Sequence, residues 1–157
     1  MKKSTIIAGI FCLLFASIIT AQSTVKEEID IIQGAFGAEK KEIMSKNVDL
    51  TGVDATAFWK IYDEYEVERK AIGKDRLNLL NTYTTATGKF TNDQADEMLK
   101  KSMGIRASED KLIGKYTNKI KKATNATVAS QFYMIESYIE TGIRFAIYDN
   151  IDFIQDK

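Results

Sequence analysis

Apolar residues recur every three or four positions along most of the chain, which is the spacing typical of amphipathic α-helices. No useful length of the chain alternates at the period of two that a half-buried strand requires. The pattern therefore predicts four helices. The first is expected over about residues 24–46, where the apolar positions at helical spacing are Val25, Ile29, Ile32, Phe36 and Ile43.

The second helix has a clear start signal, because Thr51 can cap it and Asp54, three residues later, is an acidic first-turn partner. We expect the helix to fade in the threonine-rich residues 82–87, with Gly88 as its C-terminal cap. Gaps of four and three place its main residues on one stripe, which comprises Phe58, Tyr62, Tyr65, Arg69, Ile72, Arg76, Leu79 and Tyr83.

The third helix is predicted to open with a capping box formed by Thr91 and Gln94 and to end in a cluster of lysines. Its stripe comprises Ala95, Met98, Ser102, Ile105, Leu112, Tyr116 and Ile120. All of these positions follow helical spacing.

Asn125 or Thr127 can start the fourth helix. Its stripe comprises Val128, Phe132, Ile135, Ile139, Ile143, Ile147 and Ile151. Further aromatic residues lie outside that stripe, namely Tyr133, Tyr138, Phe145 and Tyr148. The helix is thus apolar on more than one face, so it is either the central helix of the fold or one with an exposed apolar surface.

The predicted fold class is all-α, with four long antiparallel helices that form a slender bundle or a curved helical hairpin cradle. The sequence contains no proline, which is compatible with long uninterrupted helices. No composition shift or repeat divides the chain, so residues 22–157 are expected to form a single all-helical domain.

The first 21 residues have the three parts of a cleavable signal peptide. Lys2 and Lys3 precede an apolar run over residues 6–19, and small residues follow, so cleavage is expected after Ala21. The rival interpretation is an uncleaved membrane anchor, but the apolar run is shorter than the roughly 20 residues that span a bilayer. A leader of this kind predicts export, and in a bacterium it predicts a periplasmic protein.

The composition removes several kinds of chemistry. There is no histidine, and the single cysteine, Cys12, lies inside the leader, where it fits a small apolar residue better than a lipidation site. Loss of Lys2 and Lys3 leaves 20 basic against 22 acidic residues, which gives no electrostatic reason to expect nucleic-acid binding. We expect no cofactor.

Two residue clusters could carry chemistry but have simpler explanations. The methionines, Met44, Met98, Met103 and Met134, could bind a soft metal, but methionines at helical spacing usually fill a core. The acidic cluster of the second helix, Asp63, Glu64, Glu66 and Glu68, is interpreted as a solvated face with ion pairs along the helix. An enzyme would instead require a deep pocket with converging carboxylates of shifted pKa.

The aromatic residues Phe58, Trp59, Tyr62 and Tyr65 bunch in two turns of the second helix. Most are expected in the core, but Phe58 and Trp59 are adjacent and cannot point the same way, so one of them can lie at an edge. The candidate binding residues are Trp59, Tyr65, Phe145 and Tyr148, from the second and fourth helices, with Lys and Glu residues at the rim.

The segment 50–66, which reads LTGVDATAFWKIYDEYE, resembles the Spy/CpxP family of small bacterial envelope proteins. That family has a Leu-Thr-x-x-Gln motif at a helix start; here Leu50 and Thr51 are present and the glutamine is missing. The second copy of the motif, expected before the last helix, is degenerate in residues 123–127. The resemblance covers about residues 40–150, most of the predicted mature chain.

The resemblance implies a curved, dimeric helical cradle that holds unfolded or stressed proteins without ATP. Some relatives instead dock on a membrane stress sensor. The first hypothesis is accordingly a non-catalytic periplasmic chaperone-like protein. The second is a regulatory or structural envelope protein with one specific partner.

Overall fold

The structure, a computed structural model, describes the backbone of residues 25–151 and the side chains of residues 34–151. The predicted leader, its cleavage site and Cys12 lie outside the described residues. The described chain forms four α-helices and no strand, as the sequence predicts: α1 (Val25–Asn47), α2 (Ala55–Thr85), α3 (Asn92–Ala123) and α4 (Ala126–Asn150).

The predicted cap of α2 is wrong by three residues. Asp54, not Thr51, is the N-cap, and its Oδ1 accepts a hydrogen bond from the Ala57 N–H at 3.0 Å. The Thr51 N–H donates instead to Asp49 Oδ1 at 2.9 Å in the preceding turn. Gly52 has a φ of 74°, which is left-handed backbone and delays the start of the helix.

The end of α2 also differs from the prediction. Ala86 is its C-cap, whereas Gly88 lies in the connection to α3 with a φ of 81°. The starts of α3 and α4 confirm the cap signals. Thr91 and Gln94 form a complete capping box, and Asn125, rather than Thr127, accepts the Val128 N–H at 2.9 Å.

Sequential helices pack side by side, and α1 closes the ring by packing against α4. Contacts between α1 and α2 run antiparallel, since Lys40 meets Glu66 and Lys41 meets Asp63. The α2–α3 contacts run antiparallel as well, because Glu64 lies beside Lys119 and Arg76 beside Glu109. The helices therefore form a four-helix bundle with antiparallel neighbours.

One half of the bundle has an aromatic core. The rings of Tyr65, Tyr116 and Phe132, from three helices, meet edge-to-face with centroids 5.2 to 5.4 Å apart around Tyr65. Phe58 is fully buried, while the adjacent Trp59 is half-buried at the edge of this core. The sequence expectation that one of the two lies at an edge is confirmed. No helix in residues 25–151 has the length and apolarity to cross a membrane.

Candidate functional site

The exposed side of α4 carries four large apolar or aromatic side chains and one threonine at a regular spacing. Met134, Tyr138, Thr141, Phe145 and Tyr148 follow at intervals of four, three, four and three residues, so they lie on one stripe about 21 Å long. Phe145 is 69% exposed and Tyr148 60% exposed. We call these five residues the α4 outer face.

The α4 outer face contains no charged residue. Four residues of α4 are charged; Glu136 and Glu140 are buried and Arg144 is half-buried. Only Asp149, in the last turn, is an exposed charge on this helix. Exposed apolar side chains that cluster on one helix face of a small protein are typical of a binding site.

The inward charges of α4 are held by two ion clusters. The first, the Lys40 cluster, comprises Lys40, Tyr65, Glu66, Arg69 and Glu136. Lys40 is fully buried, and its Nζ lies 2.7 Å from Glu66 Oε1 and 2.7 Å from Glu136 Oε2. The Tyr65 hydroxyl donates to Glu136 Oε2 at 2.7 Å, and Arg69 Nε lies 3.0 Å from Glu66. The cluster ties α1, α2 and α4 together.

The second, the Arg76 cluster, comprises Arg76, Glu109, Glu140 and Arg144. The Arg76 guanidinium of α2 contacts the carboxylates of Glu109 on α3 and Glu140 on α4. Arg144 Nη1 lies 3.9 Å from the other oxygen of Glu109. Two cations thus meet two anions, and the cluster as a whole is neutral.

Burial sets the ionisation of these groups. It raises the pKa of the Glu136 carboxyl above its ordinary value, against the opposing effect of Lys40. It raises the pKa of Glu109 in the same way, opposed by Arg76. Burial alone would lower the pKa of Arg76, but the adjacent Glu140 and Glu109 raise it, so the guanidinium stays charged.

A cavity of about 250 Å³ lies beside the Arg76 cluster, between α2, α3 and α4, and Phe36 of α1 also lines it. Its described walls are mainly aliphatic and include Ile72, Leu77, Leu80, Ile143 and Ile147. The space is partly open to solvent, so water meets apolar walls that a bound apolar group would cover.

The structure separates the four candidate binding residues. Phe145 and Tyr148 lie together on the α4 outer face. Trp59 is half-buried on α2, where Lys41 Nζ lies 5.4 Å from its ring centroid. Tyr65 is only 1% exposed and has its place in the core, so it cannot belong to a face that a protein partner touches. The expectation of one surface shared by these four residues is therefore corrected.

The acidic residues of α2 also differ from the interpretation as pairs along one helix. Asp63, Glu64 and Glu68 are exposed, but their cations, Lys41, Lys119 and Lys115, come from α1 and α3. The fourth acidic residue, Glu66, is buried in the Lys40 cluster and does pair along the helix, with Arg69 three residues later. Asp149 is the only exposed charge on α4 itself, so the charged rim of Lys and Glu residues stays a prediction about the neighbouring helices.

Sequence reasoning missed both ion clusters, although a signal was present. Arg69 and Arg76 stand on the same stripe of α2 as the buried aromatic residues, and Glu109 stands between Ile105 and Leu112 on the stripe of α3. A charged residue at an inward position requires a partner of opposite charge nearby. The partners on α4, Glu136 and Glu140, lie directly after apolar stripe residues.

The cavity wall partly resembles an enzyme site, because two buried carboxylates, Glu109 and Glu140, lie close together beside an apolar space. However, both carboxylates contact Arg76, and this ion pairing accounts for their position without a reaction. Within the described residues, no group of three or more carboxylate, cysteine or histidine side chains is placed to hold a metal ion.

Comparisons of the chain with protein-family models, with curated proteins and with solved structures found no match.

Proposed function

We propose that this chain is a non-catalytic protein-binding protein of the bacterial cell envelope, which holds apolar segments of unfolded or stressed proteins on the α4 outer face without ATP. The observation that carries the proposal is the uncharged, aromatic and exposed stripe on α4. A bound segment would desolvate no charge on this helix surface, so apolar contact is not offset by the penalty of burying ions.

The size of the face favours weak and reversible binding. The exposed parts of the Tyr138, Phe145 and Tyr148 rings amount to roughly 350 Å². Covering them would contribute about 9 kcal/mol at roughly 25 cal/mol per Å². Association costs an estimated 4–15 kcal/mol, which leaves little net affinity. Tyrosine, phenylalanine and methionine side chains can also repack against different partners, as promiscuous binding surfaces require.

The envelope location rests on the predicted leader, and the chaperone-like role is consistent with the resemblance of residues 50–66 to the Spy/CpxP family. The neutral α4 outer face offers no cations for nucleic acid or for anionic lipid. Unfolded or stressed envelope proteins are therefore the partners that fit its chemistry best.

The test is a light-scattering assay without nucleotide. The purified protein is mixed at several ratios with two unrelated proteins that aggregate after dilution from denaturant. Suppression of both aggregation reactions at ratios near one is expected. The double variant Phe145→Ser/Tyr148→Ser should lose most of this activity, whereas Leu99→Ser/Met103→Ser, a matched exposed pair on α3, should retain it.

If the protein suppressed neither aggregation reaction, the proposal of a general holding activity would be wrong. A dedicated partner, such as a membrane stress sensor, would then be the better hypothesis. Loss of activity in the α3 variant together with full activity in the α4 variant would place the binding surface on α3 and contradict the proposal.

A further inference from the structure

The partly open cavity beside the Arg76 cluster is a feature that the binding of proteins on the outside of α4 does not use. It extends along α2 from Tyr65 to Thr84, a distance of about 28 Å along the helix axis. Because its lining residues spread over this length of α2, the space is elongated along the bundle. A straight aliphatic chain fits such a shape better than a ring system does.

An occupant would explain why a small bundle maintains this space. A bound apolar group would remove these walls from water, which is favourable in proportion to the apolar area that it covers. Ligand pockets in helical bundles commonly lie between the helices and have mainly apolar walls with a few polar groups. The cavity beside the Arg76 cluster has both properties.

The polar groups along the cavity indicate what kind of head group the ligand has. Among the charged lining residues, Arg76 contacts Glu109 and Glu140, and Arg69 pairs with Glu66 beside the cavity, so the charges compensate one another. A charged head group there would lack a counter-charge of its own. The end of the cavity near the ends of α2 and α4 is lined by uncharged hydrogen-bonding side chains, those of Asn81, Thr84 and Asn150.

We propose that the cavity binds a single-chain amphiphile with an uncharged polar head group. The aliphatic chain lies between α2, α3 and α4, against residues such as Leu77, Ile143 and Ile147. The head group lies at the outer end and forms hydrogen bonds with the Asn81 and Asn150 amides. This site is separate from the α4 outer face, because Ile143 and Ile147 line the interior of the same helix that exposes Phe145 and Tyr148.

The test is isothermal titration of the purified protein with three probes of equal chain length, each below its micelle concentration: monododecanoyl glycerol, dodecanoate and dodecyltrimethylammonium. We expect one monododecanoyl glycerol to bind per chain and to raise the melting temperature. Each charged probe should bind at least tenfold more weakly. Absence of binding by all three overturns the proposal, and equal binding of a charged probe overturns the uncharged head group.

Two cavity-filling variants, Leu77→Phe and Ile147→Phe, locate the site. Each should weaken the binding of monododecanoyl glycerol at least tenfold while its helical circular dichroism stays like that of the wild type. Two variants are used because one can fail to fold. Leu99→Phe, on the exposed side of α3, is the matched control and should bind as the wild type does. Unchanged affinity in a folded cavity-filling variant overturns the assignment to the cavity.

The Phe145→Ser/Tyr148→Ser variant distinguishes this proposal from the proposed protein-binding function. It should bind monododecanoyl glycerol with wild-type affinity even though it no longer suppresses aggregation. A parallel loss of both activities would place the amphiphile on the α4 outer face and overturn the proposal of an interior site.

Discussion

The helices α2 and α4 place their aromatic and acidic residues in opposite ways. In the first half of α2, the aromatic residues Phe58, Tyr62 and Tyr65 are buried and the acidic residues Asp63 and Glu64 are exposed. This is the usual arrangement of an amphipathic helix.

On α4 the arrangement is partly reversed. Glu136 and Glu140 are buried, while Tyr133, Tyr138 and Phe145 are exposed. The inward carboxylates are stable there because Lys40 and Arg76 reach them from α1 and α2. The comparison shows that a helix of this bundle buries paired carboxylates and at the same time exposes large aromatic side chains.

The largest expected effect comes from removing Lys40, the cation that pairs with the buried Glu136 carboxylate of α4. Lys40→Met should lower the free energy of unfolding by about 3–5 kcal/mol, because it leaves buried carboxylates without their shared lysine. Urea unfolding followed by circular dichroism measures the change. Lys41→Met is the matched control on the same helix, since Lys41 pairs with the exposed Asp63 and should cost under about 1 kcal/mol. Equal losses in both variants would contradict a special role for the buried cation.

A tyrosine hydroxyl should matter inside the bundle and not on the α4 outer face. Tyr65→Phe removes a donor to the buried Glu136 carboxylate and should cost about 1–3 kcal/mol. Tyr148→Phe alters an exposed ring and should change stability by under about 0.5 kcal/mol. Urea midpoints of the two variants give the comparison directly. An unchanged midpoint for Tyr65→Phe would show that this hydrogen bond does not stabilise the fold.

The buried and exposed carboxylates should respond oppositely to pH. The pKa of Glu136 lies above its ordinary value of 4.5, so its ionisation opposes folding and stability falls as the pH rises through that raised pKa. The pKa of Glu68 is lowered by hydrogen bonds from Lys115 and Tyr116, so its contribution is present above pH 4.5 and is lost as the pH falls through the lowered pKa. Carboxyl ¹³C titration by NMR should place Glu136 above Glu68, and the reverse order would refute this assignment.

The smallest effect is expected for the exposed ion pairs between α2 and α3. Lys119 Nζ lies 3.2 Å from Glu64 at the surface, and Lys119→Gln should lower stability by under about 0.5 kcal/mol. The effect should shrink further in 0.5 M salt, because exposed charges are screened. Thermal unfolding at two salt concentrations checks it. A loss of stability as large as that of Lys40→Met would contradict the claim that buried ion pairs matter more than exposed ones.

The sequence predicts the helices of this fold well, because their signals are local. Stripes at helical spacing and the Thr91–Gln94 capping box depend only on residues a few positions apart. The start of α2 was misplaced because Thr51 and Asp54 both have cap chemistry. The left-handed Gly52 between them decides which one is used.

The candidate binding site could be predicted only in part. Two apolar faces were visible on the fourth helix, but periodicity does not say which face turns inward, so the central and the exposed interpretations stayed open. The structure favours the second: the isoleucine stripe faces the bundle, and the α4 outer face is exposed. The burial of Tyr65 and the pairing of Lys40 with Glu136 depend on the register between distant helices, which a single helix pattern does not contain.

The most direct test of the account is site-specific photocrosslinking to an unfolded protein. A benzophenone amino acid replaces Phe145 on α4 or, in a matched variant, Leu99 on α3; both native side chains are more than half exposed. Each variant is irradiated with a client that is aggregating after dilution from denaturant. Strong crosslinks are expected from position 145 and few from position 99. Equal yields from the two positions, or none from position 145, would contradict the claim that the α4 outer face is the binding surface.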